Sequence, residues 1–181
     1  MKNKYIDFIE QSFDFPQEEF HLTENNSLIW HGVNIEDVIA EHGTPLKLRY
    51  LPKISENIQL AKKWFNQAIE EHDYAGEYHY SYCTKSSHFS HVLDEALKND
   101  IHIETSSAFD IEIVKKLKSE GKINDKTYIL CNGFKRDKYV DNIAELINSG
   151  KYNCIPIIDN YEEIHLLHQK TNKKFDIGIR I

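Results

Sequence analysis

Glycine is sparse in this 181-residue chain, and what there is lies scattered. The seven glycines, at positions 32, 43, 76, 121, 133, 150 and 178, are nowhere close enough to build a phosphate-cradling loop. There is no GxGxxG pattern and no Walker-type loop, so nucleotide binding through those motifs is excluded. No run approaches the roughly 18 apolar residues that a membrane-spanning helix needs. The N-terminus has a basic start but no apolar stretch of the kind a secretion signal requires. Positive charge is in deficit: 22 Lys and Arg stand against 29 Asp and Glu, a net charge of -7. That balance argues against broad nucleic-acid binding and against an anionic membrane surface. Cysteine is also scarce. Cys83, Cys131 and Cys154 are widely spaced, without a CxxC pair, in apolar strand-like runs. They are expected to be buried free thiols in a reducing cytoplasm.

What remains is an ordinary globular composition, 40% hydrophobic and 28% charged, long enough for one domain with a real core. Residues 1–43 read as an appendage. A short amphipathic helix is expected over 2–11. A hairpin is expected from 18–22 and 27–31 about the turn-prone Thr23-Glu24-Asn25-Asn26. A further helix is expected over 34–41, with Asn34 as N-cap and Gly43 just past its end.

From residue 44 to 181 the pattern alternates. Strands are expected over 46–50, 78–84, 101–104, 128–132, 154–158 and 175–181. Helices are expected over 55–72, 87–99, 108–120, 136–149 and 161–171. This alternation favours a parallel sheet with right-handed crossovers. Three strands have one apolar and one polar face. Ile101 and Ile103 oppose His102 and Glu104. Phe175, Ile177, Ile179 and Ile181 oppose Asp176, Gly178 and Arg180. Tyr78, Tyr80, Tyr82 and Thr84 oppose His79, Ser81, Cys83 and Lys85. A strand of an open doubly wound sheet is usually apolar on both faces. The two-faced strands instead predict an α/β fold built as an incomplete (β/α)8 TIM-type barrel, with the N-terminal helix and hairpin as appendage. An antiparallel sheet with one wet face is the competing reading. Six visible strands fall short of eight, so the chain is expected to be the N-terminal part of a longer barrel. Pro156 removes a ladder donor and predicts a bulge or an open edge.

On that reading Lys85, Glu104 and Arg180 face inward near the C-terminal ends of their strands, where barrel enzymes place their chemistry. A lysine there is a candidate Schiff-base residue if desolvation or a neighbouring cation lowers its pKa. Glu104 would accept a hydrogen bond from the amine or a cofactor, and Arg180 would hold an anionic or phenolic oxygen. The bland alternative for Lys85 is a solvated surface charge. His88 with His91, and His165 with His168, are three apart on helices and lack an acidic or cysteine partner, so solvated histidines outweigh a zinc site. Asn132-Gly133 is a turn signal first and a ligand contact second.

The segment Tyr82-Cys83-Thr84-Lys85, followed by Ser86-Ser87, resembles the cofactor-lysine motif of the alanine-racemase-type (fold III) pyridoxal-phosphate decarboxylases. The likeness is to the bacterial biosynthetic arginine decarboxylases in particular. It extends through Leu48-Arg49-Tyr50, Phe65 to Glu71, Tyr74 to Tyr78, Ile103-Glu104-Thr105-Ser106-Ser107, Ile129 to Lys135, and Gly178-Ile179-Arg180-Ile181. The resemblance implies pyridoxal 5'-phosphate bound covalently through Lys85, with Glu104, Ser107 and Arg180 as further cofactor-binding residues and no metal. It implies a carboxy-lyase that turns arginine into agmatine for polyamine synthesis, a small amino-acid substrate, a cytoplasmic location, and a dimer or larger homo-oligomer. Two departures stand out. Serines follow Lys85 where the family often has an asparagine, and Asp110 stands near a common glutamate. The family's glycine-rich phosphate loop, the carboxylate at the pyridine nitrogen and the acid from the partner subunit come later in such proteins and have no counterpart here. A non-catalytic truncated barrel or binding module, and an unrelated Schiff-base barrel enzyme such as an aldolase, remain the alternatives.

Overall fold

The computed structural model of the protein describes residues 19–181. The helix expected over 2–11 lies outside the described residues. Contacts divide the chain into two compact units, Met1–Tyr50 and Leu51–Ile181.

In the first unit β1 (Phe20–Leu22) and β2 (Leu28–Trp30) form the expected antiparallel hairpin, with Phe20 opposite Trp30. Thr23 closes the turn, its carbonyl accepting from Asn26 N–H and its hydroxyl from Ser27 N–H, at 3.0 and 3.1 Å. β3 (Val33–Asn34) adds to β2. It leads into α1 (Ile35–His42), where Asn34 Oδ1 caps Glu36 N–H at 2.9 Å. Gly43 ends the helix at φ +75°, a left-handed conformation that suits glycine. The strand expected over 46–50 is not formed. Those residues pair with no other strand, so their extended sequence has no ladder to join.

The second unit opens with α2 (Pro52–Glu71), whose proline occupies the first turn, where a missing N–H costs nothing. It is followed by β4 (Ser81–Cys83), α3 (Ser90–Leu97), β5 (His102–Thr105), α4 (Ala108–Ser119), β6 (Tyr128–Cys131), α5 (Asp137–Ser149), β7 (Asn153–Ile158), α6 (Tyr161–Lys170) and β8 (Gly178–Ile179). The five strands pair in parallel in the order β4-β5-β6-β7-β8. This excludes the antiparallel reading. The order never reverses, so right-handed crossovers put successive helices on the same face of the sheet.

The two-residue period of the strands divides the faces. Ile103, Thr105, Ile129, Cys131, Cys154 and Ile158 are buried and share a core with Ile111, Val114, Val140, Ile143 and Leu167 of the helices. His102, Glu104, Tyr128, Leu130, Ile155 and Ile157 lie on the other face and are half-buried. A smaller core joins Ile58 of α2 to Ala96 and Ile101. A polar seam runs beside it. Asn99 Nδ2 donates to Ser55 Oγ at 2.9 Å, and Gln59 Nε2 donates to Asn99 Oδ1 at 2.9 Å.

Two further strand expectations need correction. The strand expected over 78–84 is paired only over Ser81–Cys83, and that over 175–181 only over Gly178–Ile179. Ladder partners, not the length of the alternating pattern, set these limits. Ile179 and Ile181 are exposed, because no helix among the described residues covers that side of β8. No bulge forms at Pro156, which lies opposite Cys131 of β6; its other side is a local open edge, one of the two outcomes expected. Ile158 O accepts from Arg180 N–H, so the proline nitrogen, two residues back, points to the same side. Pairing with β8 begins only at Ile157, and the missing donor therefore falls before that ladder starts.

Candidate active site

At the C-terminal ends of β4, β5 and β6 the half-buried face carries Cys83, Glu104 and, just past β6, Asn132. In register, Cys83 lies opposite Glu104, and Glu104 opposite Leu130. Two residues past Cys83, Lys85 sits in the turn that leaves β4 and is exposed. Its ammonium makes no ion pair among the described residues. Burial pushes the Cys83 thiol above its ordinary value. A hydrogen bond from the Lys85 backbone opposes this, and the Glu104 charge and hydrogen bond add to it.

Glu104 is the best-held side chain of the group. Its Oε1 accepts from Asn132 Nδ2 at 3.0 Å and from the Cys83 thiol at 3.5 Å. Asn132 is itself fixed. Its side-chain oxygen accepts from Gly133 N–H at 2.8 Å, and its carbonyl accepts from the Tyr139 hydroxyl at 3.0 Å. Tyr139 also shares a 2.8 Å hydrogen bond with Thr105 on β5. Gly133 adopts φ +79°, and a Cβ there would stand 2.7 Å from Ser106 O, so the β6 loop rests directly on the β5 loop.

Ser107 is the N-cap of α4, yet its side chain makes no capping bond. Asp110, at the third helical position, instead ties down the residue before the cap. Its buried carboxylate accepts from Ser106 N–H at 2.8 Å and from Ser106 Oγ at 3.2 Å. At the far side of the sheet Arg180 Nη1 lies 3.8 Å from Asp159 Oδ1 and is largely exposed. Register puts Arg180 on the face that carries Glu104, but with β6 and β7 between their strands. The structure thus joins Glu104 to Cys83 and Asn132. It joins neither Lys85 nor Arg180 to Glu104.

Sequence reasoning passed over three residues that hold this rim: Tyr139, Lys135 and Glu163. The last was legible. Asn160-Tyr161-Glu162-Glu163 has the spacing of a helix-capping box, and Asn160 Oδ1 does accept from Glu163 N–H at 3.2 Å. Lys135 and Tyr139 carry no such pattern.

Fold and site together define an α/β protein with a parallel sheet and an exposed lysine at a strand tip. Similarity adds a more particular likeness. No protein-family model matches the chain. The biosynthetic arginine decarboxylase of Prochlorococcus marinus strain MIT 9303 is 24% identical over 143 residues, covering 75% of this chain and 21% of that protein. The chloroplastic arginine decarboxylase 1 of Arabidopsis thaliana is 23% identical over 141 residues, covering 75% and 20%. The chain therefore spans about a fifth of the length of the curated relatives it matches. The crystal structure of the biosynthetic arginine decarboxylase of Campylobacter jejuni superposes with a TM-score of 0.63 at 20% identity, over 90% of this chain and 29% of that one. The resemblance to biosynthetic arginine decarboxylases thus extends over most of the chain in sequence, and the fold is shared with one of them.

Proposed function

We propose that the chain is the N-terminal barrel portion of a pyridoxal-phosphate-dependent decarboxylase that acts on arginine, its sheet forming part of a (β/α)8 barrel. The observation that carries this reading is Lys85, an exposed amine without a carboxylate partner among the described residues, just past the C-terminal end of a parallel strand. It occurs in a chain similar to arginine decarboxylases over three quarters of its length.

The donor set fits the aldehyde end of the cofactor. Lys85 offers an amine for covalent attachment, Glu104 a carboxylate fixed by Asn132, and Ser107 a hydroxyl not used in capping. The phosphate end is less well provided. Gly133 is the single glycine of the described residues in the loops that leave these strands, and Ser106 O fills the space beside it. When bound, the cofactor supplies an electron sink for the pair left on the α-carbon as CO2 departs. Lys85 would hold it, and the protonated amine would assist product release. Glu104, whose partners here are Cys83 and Asn132 and not the Lys85 amine, would orient the ring, and Arg180 would face an anionic oxygen. The described residues leave the Lys85 amine in water, so any desolvation that activates it comes from other parts of the assembled protein. A homo-oligomer and a cytoplasmic location belong to the same reading. Among the described residues no helix is long and apolar enough to cross a membrane.

The test is decarboxylation of arginine by the full-length protein, followed as CO2 and agmatine. Lys85→Ala is expected to lower the rate by about a thousandfold or more. A full-length protein that binds the cofactor but releases no CO2 from arginine contradicts the proposal. It would favour the binding-module reading, to which the absence of a glycine-rich loop lends support.

A further inference from the structure

Among the described residues, one ammonium is fully buried. The Lys135 side chain is 0% exposed, and the Glu163 side chain beside it 2%. Lys135 Nζ donates to Glu163 Oε2 at 3.1 Å, to Gly133 O at 3.0 Å, and to Ile157 O. The Lys135 backbone N–H donates to Glu163 Oε1 at 3.1 Å, and Asp159 N–H donates to Oε2 at 3.0 Å. Each proton of the ammonium and each oxygen of the carboxylate is therefore engaged.

Such a pair is a poor source of stability. Desolvation of both charges offsets their attraction, and apolar side chains of similar volume commonly serve as well. What apolar side chains do not supply is directed bonds. Three of the five hydrogen bonds tie the loop after β6 to the end of β7 and to the first turn of α6, one braces Gly133 within that loop, and one joins Asp159 to α6. The tied loop is the one that carries Asn132, whose amide holds Glu104, and Gly133, which rests on Ser106.

We infer that Lys135 and Glu163 are positioning residues: their buried pair fixes the loop after β6, so that Asn132 orients the Glu104 carboxylate beside Cys83 at the end of β4. The positioning stands on the geometry; its consequence for catalysis rests on the decarboxylase reading. The variant that separates positioning from bulk stability is Lys135→Met with Glu163→Leu in the full-length protein, which removes both charges and keeps the volume apolar. Hydrogen exchange of the Asn132 side-chain amide, followed by NMR, is expected to rise about tenfold, while the core amides of Ile129 and Ile143 keep their protection. In the same variant kcat for arginine is expected to fall about tenfold or more, with KM changed less than about threefold. Unchanged Asn132 exchange, or a uniform rise in exchange at core and loop alike, overturns the inference. Where the double variant does not fold, Glu163→Gln serves, since it keeps the volume and one acceptor oxygen. About threefold faster Asn132 exchange is then expected, and no change overturns the inference. Loosened Asn132 in a protein that never decarboxylates arginine supports the positioning role and contradicts the proposed function.

Discussion

Cys83 reports on Lys85 and Glu104 together. Burial raises the thiol pKa most; the Lys85 backbone bond and charge act downward, and Glu104 acts upward. The thiolate is the reactive form, so alkylation of Cys83 at neutral pH is expected to be slow. Glu104→Gln removes an upward contribution and is expected to speed alkylation roughly two- to fivefold, whereas Lys85→Ala slows it. Mass spectrometry of the Cys83 peptide over time measures both. At Gly133 a methyl group meets a backbone carbonyl and a left-handed backbone at once. Gly133→Ala is expected to destabilise the fold by roughly 2 kcal/mol or more, read as a lower denaturant midpoint. The face of Glu104 was legible in the sequence, because a two-residue period assigns faces once the strands are recognised, whereas Lys85 lies past the last paired residue of β4 in a turn that the period does not reach. The bond from Asn132 to Glu104 was not. It joins residues 28 apart through a loop whose path is set by Tyr139, Lys135 and Gly133.

Where β5 meets β6, a histidine makes the ladder pH-dependent. Tyr128 N–H donates to His102 Nδ1 at 3.1 Å, so the proton of the neutral ring sits on Nε2, facing His79 Nδ1 at 3.2 Å. Burial, then His79, lowers the His102 pKa below its ordinary 6.5; Asp100 opposes this and Lys62 adds to it. The unfolded chain therefore binds the proton at a higher pH than the folded one. Stability is complete above about pH 6.5 and falls as pH drops from there through the folded value. Thermal melts between pH 7.5 and about 5 are expected to show a falling Tm, with a shallower slope in His102→Gln. At the end of β6 the buried pair behaves differently. Lys135→Ala alone strands the Glu163 carboxylate and is expected to cost about 3–5 kcal/mol, measured by urea unfolding. The strands themselves show how far pattern reaches. The alternation over 101–104 and the apolar run over 128–132 predicted β5 and β6 to within a residue or two, and Asn34 and Gly43 marked the ends of α1. The alternation over 46–50 and 175–181 overreached, since a strand extends only as far as a neighbour offers hydrogen bonds.

Taken together, the second unit is a sheet of five parallel strands in unbroken order, with a helix-covered apolar face and a half-buried polar one. The polar groups gather at the strand tips, where barrel enzymes keep their chemistry. On the proposed function, Lys85 is the amine that carries a pyridoxal cofactor. Borohydride reduction of the full-length protein with pyridoxal phosphate, followed by peptide mapping, tests it directly. A pyridoxyl group fixed on the Lys85 peptide, and lost in Lys85→Ala without appearing elsewhere, is the predicted result. A stoichiometric label on another lysine, or none in a folded protein supplied with the cofactor, would contradict the account.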